Sequence, residues 1–405
     1  MNFSLQLKAR GWSPIILTPE NPQFQIKDER LSEKVKDIEV IRLPIWEPFD
    51  VFHKLTGNKD RKNVQQGLVL EKEKRSFMDK FFVWVRGNLF IPDPRVFWVK
   101  KASSVAIDLV KSKEIGAVVT TGPPHSMHLI GRRVKRKTGV RWIADFRDPW
   151  SKWDVLDKLN TSALMMALHR KLERSVLEEA DKVITVSNRL AQAFGEAEVL
   201  NNGITIPVLS SDATDDTYFT IGYFGMLNEL RNPSQLWLVL DQLCREIPAF
   251  ANRLRIRIGG IVAESIKHEI LKLDELKNRV SFLGYLPHEE VQKEYTKCDI
   301  LLLLLNKSDN SGWILPVKFF EYLAAKRMIL CLGQRSSDLG DIMNGKGIGE
   351  ILAYTDVNEI RAFVEDAFEH NRKPDTKTIR ELISRFSHEA LVLQLEKLLE
   401  QPNEY

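Results

Sequence analysis

The stretch Asp299–Gly333, DILLLLLNKSDNSGWILPVKFFEYLAAKRMILCLG, decides how the rest of the chain is read. Its opening run, Asp299 to Leu305, is apolar and short, which suits a strand buried on both faces and falls far below the length that spans a membrane. A loop with Gly312 and Pro316 follows. Then Phe319, Phe320, Leu323 and Ala324 recur at helical spacing, and a second apolar run begins at Met328. Lys318 and Glu321 lie in the first turns of that helix. On a solvated face such a pair contributes about 0.2 to 0.5 kcal/mol. In a strand, loop, helix unit, however, the helix N-terminus points at the carboxyl edge of the sheet, where free N–H groups and the helix dipole receive anions. That position predicts that Lys318 and Glu321 face a ligand.

The same alternation runs through the whole sequence. Strand-like runs PIILTP, IEVIRLP, AVVTTGPP, RWIADFRDP, KVITVS and EVLNNG precede FTIGYFG, LRIRIGG, VSFLGYL, DILLLLL and MILCLG, with amphipathic helical stretches between them. Such a pattern predicts α/β architecture with parallel sheets wound by helices. A polar segment with turn formers and no period, Asn201 to Phe219, separates two halves. The predicted domains are 1–205 and 206–385, with a last helix in 386–405 set off by a short polar break at Ser387. Ligands of doubly wound sheets bind outside the carboxyl ends of the strands, so two such domains face to face would enclose one cleft.

The chain has 405 residues, enough for two domains with proper cores, and its 43% apolar and 28% charged content is that of a soluble globular protein. Cys244, Cys298 and Cys331 are scattered and lack metal-ligand spacing, so neither a structural metal nor a disulfide is expected. The absence of a signal segment, a long apolar run or a lipidation motif points to the cytoplasm. Charge is uneven: residues 1–205 carry 35 Lys and Arg against 25 Asp and Glu, whereas the remainder carries 24 against 30. The densest basic run, GRRVKRKTGVR, holds Arg132, Arg133, Lys135, Arg136, Lys137 and Arg141. A solvated helix end accounts for it; a peripheral contact with an anionic membrane surface is the competing reading. Nucleic acid is not expected, because no recognition motif accompanies the charge.

Loops after strands carry the candidate chemistry. TTGPPHS places His125 at the start of a helix, where an imidazole titrates near working pH. ADFRDPW places Asp145 and Arg147 on one side of an extended segment, as a pair that either pins the loop or holds one member for function. In the second half, IGYFGMLNELRNPSQL turns at Gly225, where backbone can approach a ligand, and carries Arg231, a planar donor fork for phosphate. It is not a GxGxxG fingerprint, so no nicotinamide cofactor is expected. Gly259 with Gly260, and Gly284 with Tyr285, end two later strands as candidate pocket walls.

Through TTGPPHS, WIADFRDPW, ADKVITVS and LPVKFFEYLAAKRMIL the chain resembles the bacterial glycosyltransferases of family 4, over most of its length. The resemblance implies the GT-B fold of two facing Rossmann-like domains. It implies transfer of a sugar from a nucleotide-sugar donor, with retention and without a required metal or cofactor. It also implies that the C-terminal half holds the donor and the N-terminal half a glycan or lipid-linked acceptor, with catalytic candidates His125 and Asp145 facing the sugar or acceptor, in cell-surface polysaccharide synthesis. Glu321 matches the second of the family's two glutamates eight residues apart, the one that binds ribose hydroxyls, whereas Trp313 stands at the first. The loop after Gly225 offers Arg231 but Asn232 where a lysine is expected on the donor diphosphate, and Lys318 supplies part of that charge. A nucleotide-sugar 2-epimerase and a non-catalytic nucleotide-binding protein are the alternatives.

Two segments raise further expectations. Met78–Lys101 mixes Phe81, Phe82, Trp84, Phe97 and Trp98 with basic residues, as a buried helix and loop or as an interfacial anchor. At the start, SLQLKARGW already reads as helix feeding the strand PIILTP. The family's first strand and glycine loop are missing, about two dozen residues, so the N-terminal sheet is expected to carry a gap or an unpaired edge and the chain to show little activity.

Overall fold

The apolar runs become strands covered on both faces in a computed structural model that describes residues 2–20, 33, 35–46, 77–152, 156, 158–204, 217–308 and 310–400, without the side chains of 77–82. The chain divides into two compact units, residues 1–201 with 391–405 and residues 202–390. The boundary read from the sequence, between 205 and 206, lies outside the described residues.

Among its described residues the first unit holds two parallel sheets. One pairs Ile15–Pro19 (β1) with Glu39–Leu43 (β2); the other has the order β3-β4-β5-β6, with β3 at Ala117–Gly122, β4 at Arg141–Phe146, β5 at Lys182–Thr185 and β6 at Glu198–Val199. Among the described residues no strand joins β1 to β3, and β3 exposes Val119 and Thr121. Both sheets nonetheless share one helical layer. Leu17, Leu43 and Val118 pack with Ala102 of Val99–Ser112 (α2) and with Ile130 and Val134 of Ser126–Thr138 (α3). The opposite layer comes from the two ends of the sequence. Leu7 of Asn2–Ala9 (α1) and Leu391, Val392, Leu395 and Leu398 of the final helix, His388–Glu400, cover Ile143, Ile184 and Leu200.

The second unit has one six-stranded parallel sheet in the order β12-β11-β10-β7-β8-β9. Its strands are Phe219–Phe224 (β7), Leu254–Gly259 (β8), Val280–Gly284 (β9), Ile300–Leu304 (β10), Met328–Leu332 (β11) and Gly349–Leu352 (β12). β10 is buried throughout because it lies between β7 and β11 and because successive side chains point to opposite faces. Leu302 and Leu304 join the cluster with Leu236 and Leu240 of Ser234–Glu246, whereas Leu301 and Leu303 join the one with Phe319, Phe320 and Leu323. The latter three belong to Val317–Ala325 (α4), the helix anticipated after Pro316. The short edge strand β12, GEIL, gave no sequence signal: it is four residues long and sits in the glycine-rich segment GKGIGE.

Candidate functional site

In the second unit the loops at the carboxyl ends of β7 and β10 bring four of the sequence-selected residues together. The Gly225 amide donates to the Gly259 carbonyl at 2.8 Å, which carries the end of β7 alongside β8. Gly260, at φ +109°, lies so close behind this turn that a Cβ there would strike the Gly225 carbonyl, so glycine is required by both conformation and space. Arg231 ends a single 3-10 turn, Glu229–Arg231, and its Nε donates to Asn306 Oδ1 at 2.7 Å. Asn306 follows β10, and the Lys307 amide after it donates to the Leu230 carbonyl at 2.8 Å. Two tyrosines brace the loops: Tyr223 OH donates to the Met226 carbonyl at 2.7 Å, and Tyr354 OH to the Leu305 carbonyl at 2.7 Å.

Lys318 enters from the first turn of α4. A Cβ built on Gly225 would overlap its ammonium, and Nζ stands 5.4 Å from the Tyr223 ring centroid. Burial, reinforced by the like charge of Arg231 and opposed by Glu321, lowers its pKa to about 8. Glu321, one turn along, accepts from Tyr295 OH at 2.8 Å and lies 3.9 Å from His288 Nε2. Pro316 begins α4 with no side-chain cap on its N–H groups. The arrangement therefore sets two cations, a glycine turn and a helix N-terminus on one side, with a carboxylate one turn farther along.

The two positions that depart from the family pattern have clear placements. Asn232 is buried and fully engaged: its Nδ2 donates to Ser234 Oγ at 3.0 Å and Glu269 Oε2 at 2.6 Å, and its Oδ1 accepts from Trp237 Nε1 at 3.1 Å. Trp313 closes the 3-10 turn Ser311–Trp313 ahead of α4.

In the first unit the carboxyl ends of β3 and β4 bring His125 and Asp145 to one edge, in different environments. His125 is 3% exposed and stacks on Trp150 with ring centroids 5.0 Å apart; His128 and Phe146, 4.2 Å apart, continue the stack. Burial pushes the His125 pKa down to about 3, so the ring is neutral at physiological pH. The adjoining N-terminus of α3 is taken by the chain itself: Asp93 accepts from the Ser126 amide at 2.8 Å and the Ser126 hydroxyl at 2.7 Å. Asp145 accepts from Thr121 Oγ1 at 2.9 Å and from Arg147 Nε at 3.3 Å. Burial raises its pKa, while Arg147 and the Thr121 hydroxyl act the other way. The basic run is largely bound within the unit: Lys135 pairs with Asp181 at 2.8 Å, Arg136 with Glu179 at 2.6 Å, and Arg132 donates to Ser175. Of the aromatic stretch, Trp98 is buried while Trp84 and Phe97 are exposed, Phe97 meeting Trp46 edge-on at 4.9 Å; the side chains of Phe81 and Phe82 lie outside the described residues.

No family model and no curated protein matches the chain by sequence. Solved structures do match. A glycosyltransferase from Rickettsia africae ESF-5 superposes with a TM-score of 0.61 at 12% identity, over 98% of this chain and 92% of its own. Anabaena Alr3699/HepE in complex with UDP and glucose gives 0.63 at 14% identity, over 99% of this chain and 94% of its own. A sucrose-phosphate synthase from Thermosynechococcus elongatus gives 0.61 at 14%, over 98% and 90%. The fold is GT-B.

At such identities the likeness resides in the backbone, so the site of this GT-B chain has to be judged on its own side chains. Sequence reading missed Tyr223, Asn306, Lys307, Tyr295 and Tyr354. Asn306 and Lys307 had a usable signal, because they are the first polar residues after β10 and so stand at the carboxyl edge of the sheet. The tyrosines had none: their rings read as core, and only the fold shows where the hydroxyls end. Among the described residues no group of His, Cys, Asp and Glu is arranged to hold a metal ion, and no helix is long and apolar enough to cross a membrane.

Proposed function

We propose that this GT-B chain is a glycosyltransferase that binds a nucleotide-sugar in its C-terminal unit and moves the sugar, with retention, to a glycan or lipid-linked acceptor in cell-surface polysaccharide synthesis. The observation that carries the reading is the convergence of Gly225, Arg231, Lys318 and Glu321 at the carboxyl edge of the β7–β12 sheet. Breaking the bond between the sugar C1 and the diphosphate leaves negative charge on phosphate, and preorganised donors aimed there lower the barrier. Arg231, Lys318 and the amides at the start of α4 are such donors. Glu321, which accepts from Tyr295 OH, is the proposed acceptor for ribose hydroxyls. One donor in a water-excluded site is worth about 3 to 4 kcal/mol, against tenths for a surface ion pair.

Asp145 is the proposed polar contact for the sugar or acceptor in the N-terminal unit. His125 is proposed to act there as a neutral ring, donating or accepting one hydrogen bond. Support for the donor class comes from HepE, whose solved complexes contain UDP and UDP-glucose. The test is a thermal-shift screen of nucleoside diphosphates followed by product analysis with the matching nucleotide-sugar. A nucleoside diphosphate should raise Tm, and glycoside should form only when acceptor is present. Free sugar or an isomerised product from donor alone would instead indicate the epimerase class, and tight binding without turnover a non-catalytic protein.

A further inference from the structure

We propose that an exposed aromatic and leucine face of the first unit docks on an anionic lipid bilayer. The face is built from Trp46, the end of the helix Phe77–Leu89, the turn after it and the start of the helix Ala163–Glu179. It lies within the first unit and involves none of the residues assigned to the donor.

Among the described residues every exposed Trp and Phe is found here: Trp46, Trp84 and Phe97. Contacts join them to two leucine-bearing helices. Trp46 meets Phe97 at 4.9 Å and Phe97 meets Phe90 at 5.9 Å, while Phe90 follows Leu89, which is 63% exposed. The helix that carries Trp84 and Leu89 is tied to the next element through Asn88. Its Nδ2 donates to the Trp84 carbonyl at 2.9 Å and the Asn160 carbonyl at 3.1 Å, and its Oδ1 accepts from the Ser162 amide at 2.8 Å. Val83 packs with Leu156, Leu159 and Met166 at the same junction. Two residues past Ser162 stands Leu164, 72% exposed, and Leu168 repeats it one turn later. Met166 packs on Val83 and His169 is buried, so this helix has its core side and still carries two leucines on the outside. Single exposed apolar residues are ordinary; six large ones gathered in one region mark an interaction surface.

Charge selects the occupant. Residues 83–101 and 158–174 hold eight Lys and Arg, four in each, against two carboxylates, Asp93 and Glu173. Both carboxylates are spent inside the unit. Asp93 accepts from the Ser126 amide and hydroxyl, and Glu173 from the Ser151 amide at 3.0 Å and the Ser151 hydroxyl. Lys100, Lys101, Arg170 and Lys171 are exposed in the same segments as the apolar side chains. A second copy of the chain would have to bring two such basic rims together, which like charge opposes. Anionic headgroups instead neutralise the rim while rings and leucines enter the boundary between headgroups and acyl chains.

The experiment is flotation of the full chain with vesicles of phosphatidylcholine alone or with about one-third phosphatidylglycerol, at about 0.1 M and about 0.5 M salt. Flotation with the anionic vesicles at low salt is expected, with most of it lost at high salt or on phosphatidylcholine. Leu89→Glu combined with Leu164→Glu should cut partitioning by about tenfold or more, because each puts a repelled charge where an apolar side chain entered the interface. Both positions are exposed, so Tm should be unchanged. Arg170→Gln with Lys171→Gln probes the same face without touching an apolar residue, and should weaken binding about fivefold per charge, on anionic vesicles only. No flotation with anionic vesicles at low salt overturns the inference, as does binding indifferent to lipid charge. Full partitioning by the double glutamate variant overturns it too, by placing the contact elsewhere. Self-association in sedimentation velocity that this variant disperses, without vesicle binding, would show that a second copy covers the face instead.

Discussion

Asn232 serves the fold although it stands beside the candidate ligand site. A lysine in its place would have no partner for the indole of Trp237, which is fully buried at the start of Ser234–Glu246. Asn232→Ala should therefore strand that N–H and lower the stability of the C-terminal unit by about 1 to 3 kcal/mol, as read by urea titration of Trp fluorescence. The neighbouring residues are proposed to act on the ligand instead. Arg231→Ala is expected to reduce kcat by about 100- to 1000-fold, because contacts with the leaving phosphate strengthen as its charge develops. Glu321→Ala should chiefly raise KM, because ribose contacts are the same in ground and transition states. Steady-state kinetics with unchanged parameters in both variants would defeat the donor-site assignment.

Elements were legible to the extent that their sequence period was strong. β10 and β11, the helix after Pro316 and the two helices flanking Ser387 stand where apolar spacing puts them, since burial on both faces of the strands and on one face of the helices restricts the residue type. β12 was invisible because its buried Ile351 and Leu352 are too few to make a period, and Gly349 and Glu350 precede them. The candidate site was half legible: glycines and charges announce themselves in a loop, while the environment of His125 depends on Trp150 and Phe146 arriving from β4 and the loop beyond it. The split between β1–β2 and β3–β6 has a consequence of its own. Among the described residues β3 stands at an edge, with Val119 45% exposed, and no described strand gives its outer amides the ladder that protects β4 and β10. Hydrogen exchange should be orders of magnitude faster for alternate amides of Ala117–Gly122 than for Ile300–Leu304. Equal protection in both strands would show that another segment pairs with β3.

At the scale of the molecule, the chain returns at its end to the unit with which it began. The final helix places Leu391, Val392, Leu395 and Leu398 over Ile143 and Ile184, and its Glu396 accepts from Arg10 Nε at 2.5 Å and Trp12 Nε1 at 2.9 Å. Arg141, at the start of β4, donates to the Leu398 carbonyl at 2.9 Å. Each apolar side chain so buried is worth about 1.5 to 3 kcal/mol, and without the helix one face of the β3–β6 sheet would be left to water. Two units with separate cores need not unfold in one step, so damage should be confined to the unit whose core is cut. Leu395→Asp is the decisive substitution: it buries an unpaired carboxylate against Ile143 and Ile184 while leaving β7–β12 untouched. Its expected effect is early loss of hydrogen-exchange protection in β4 and β5 with β10 and β11 retaining theirs, although residue 395 lies closer in sequence to the second unit. Simultaneous loss of protection in both sheets would show that the two cores melt as one.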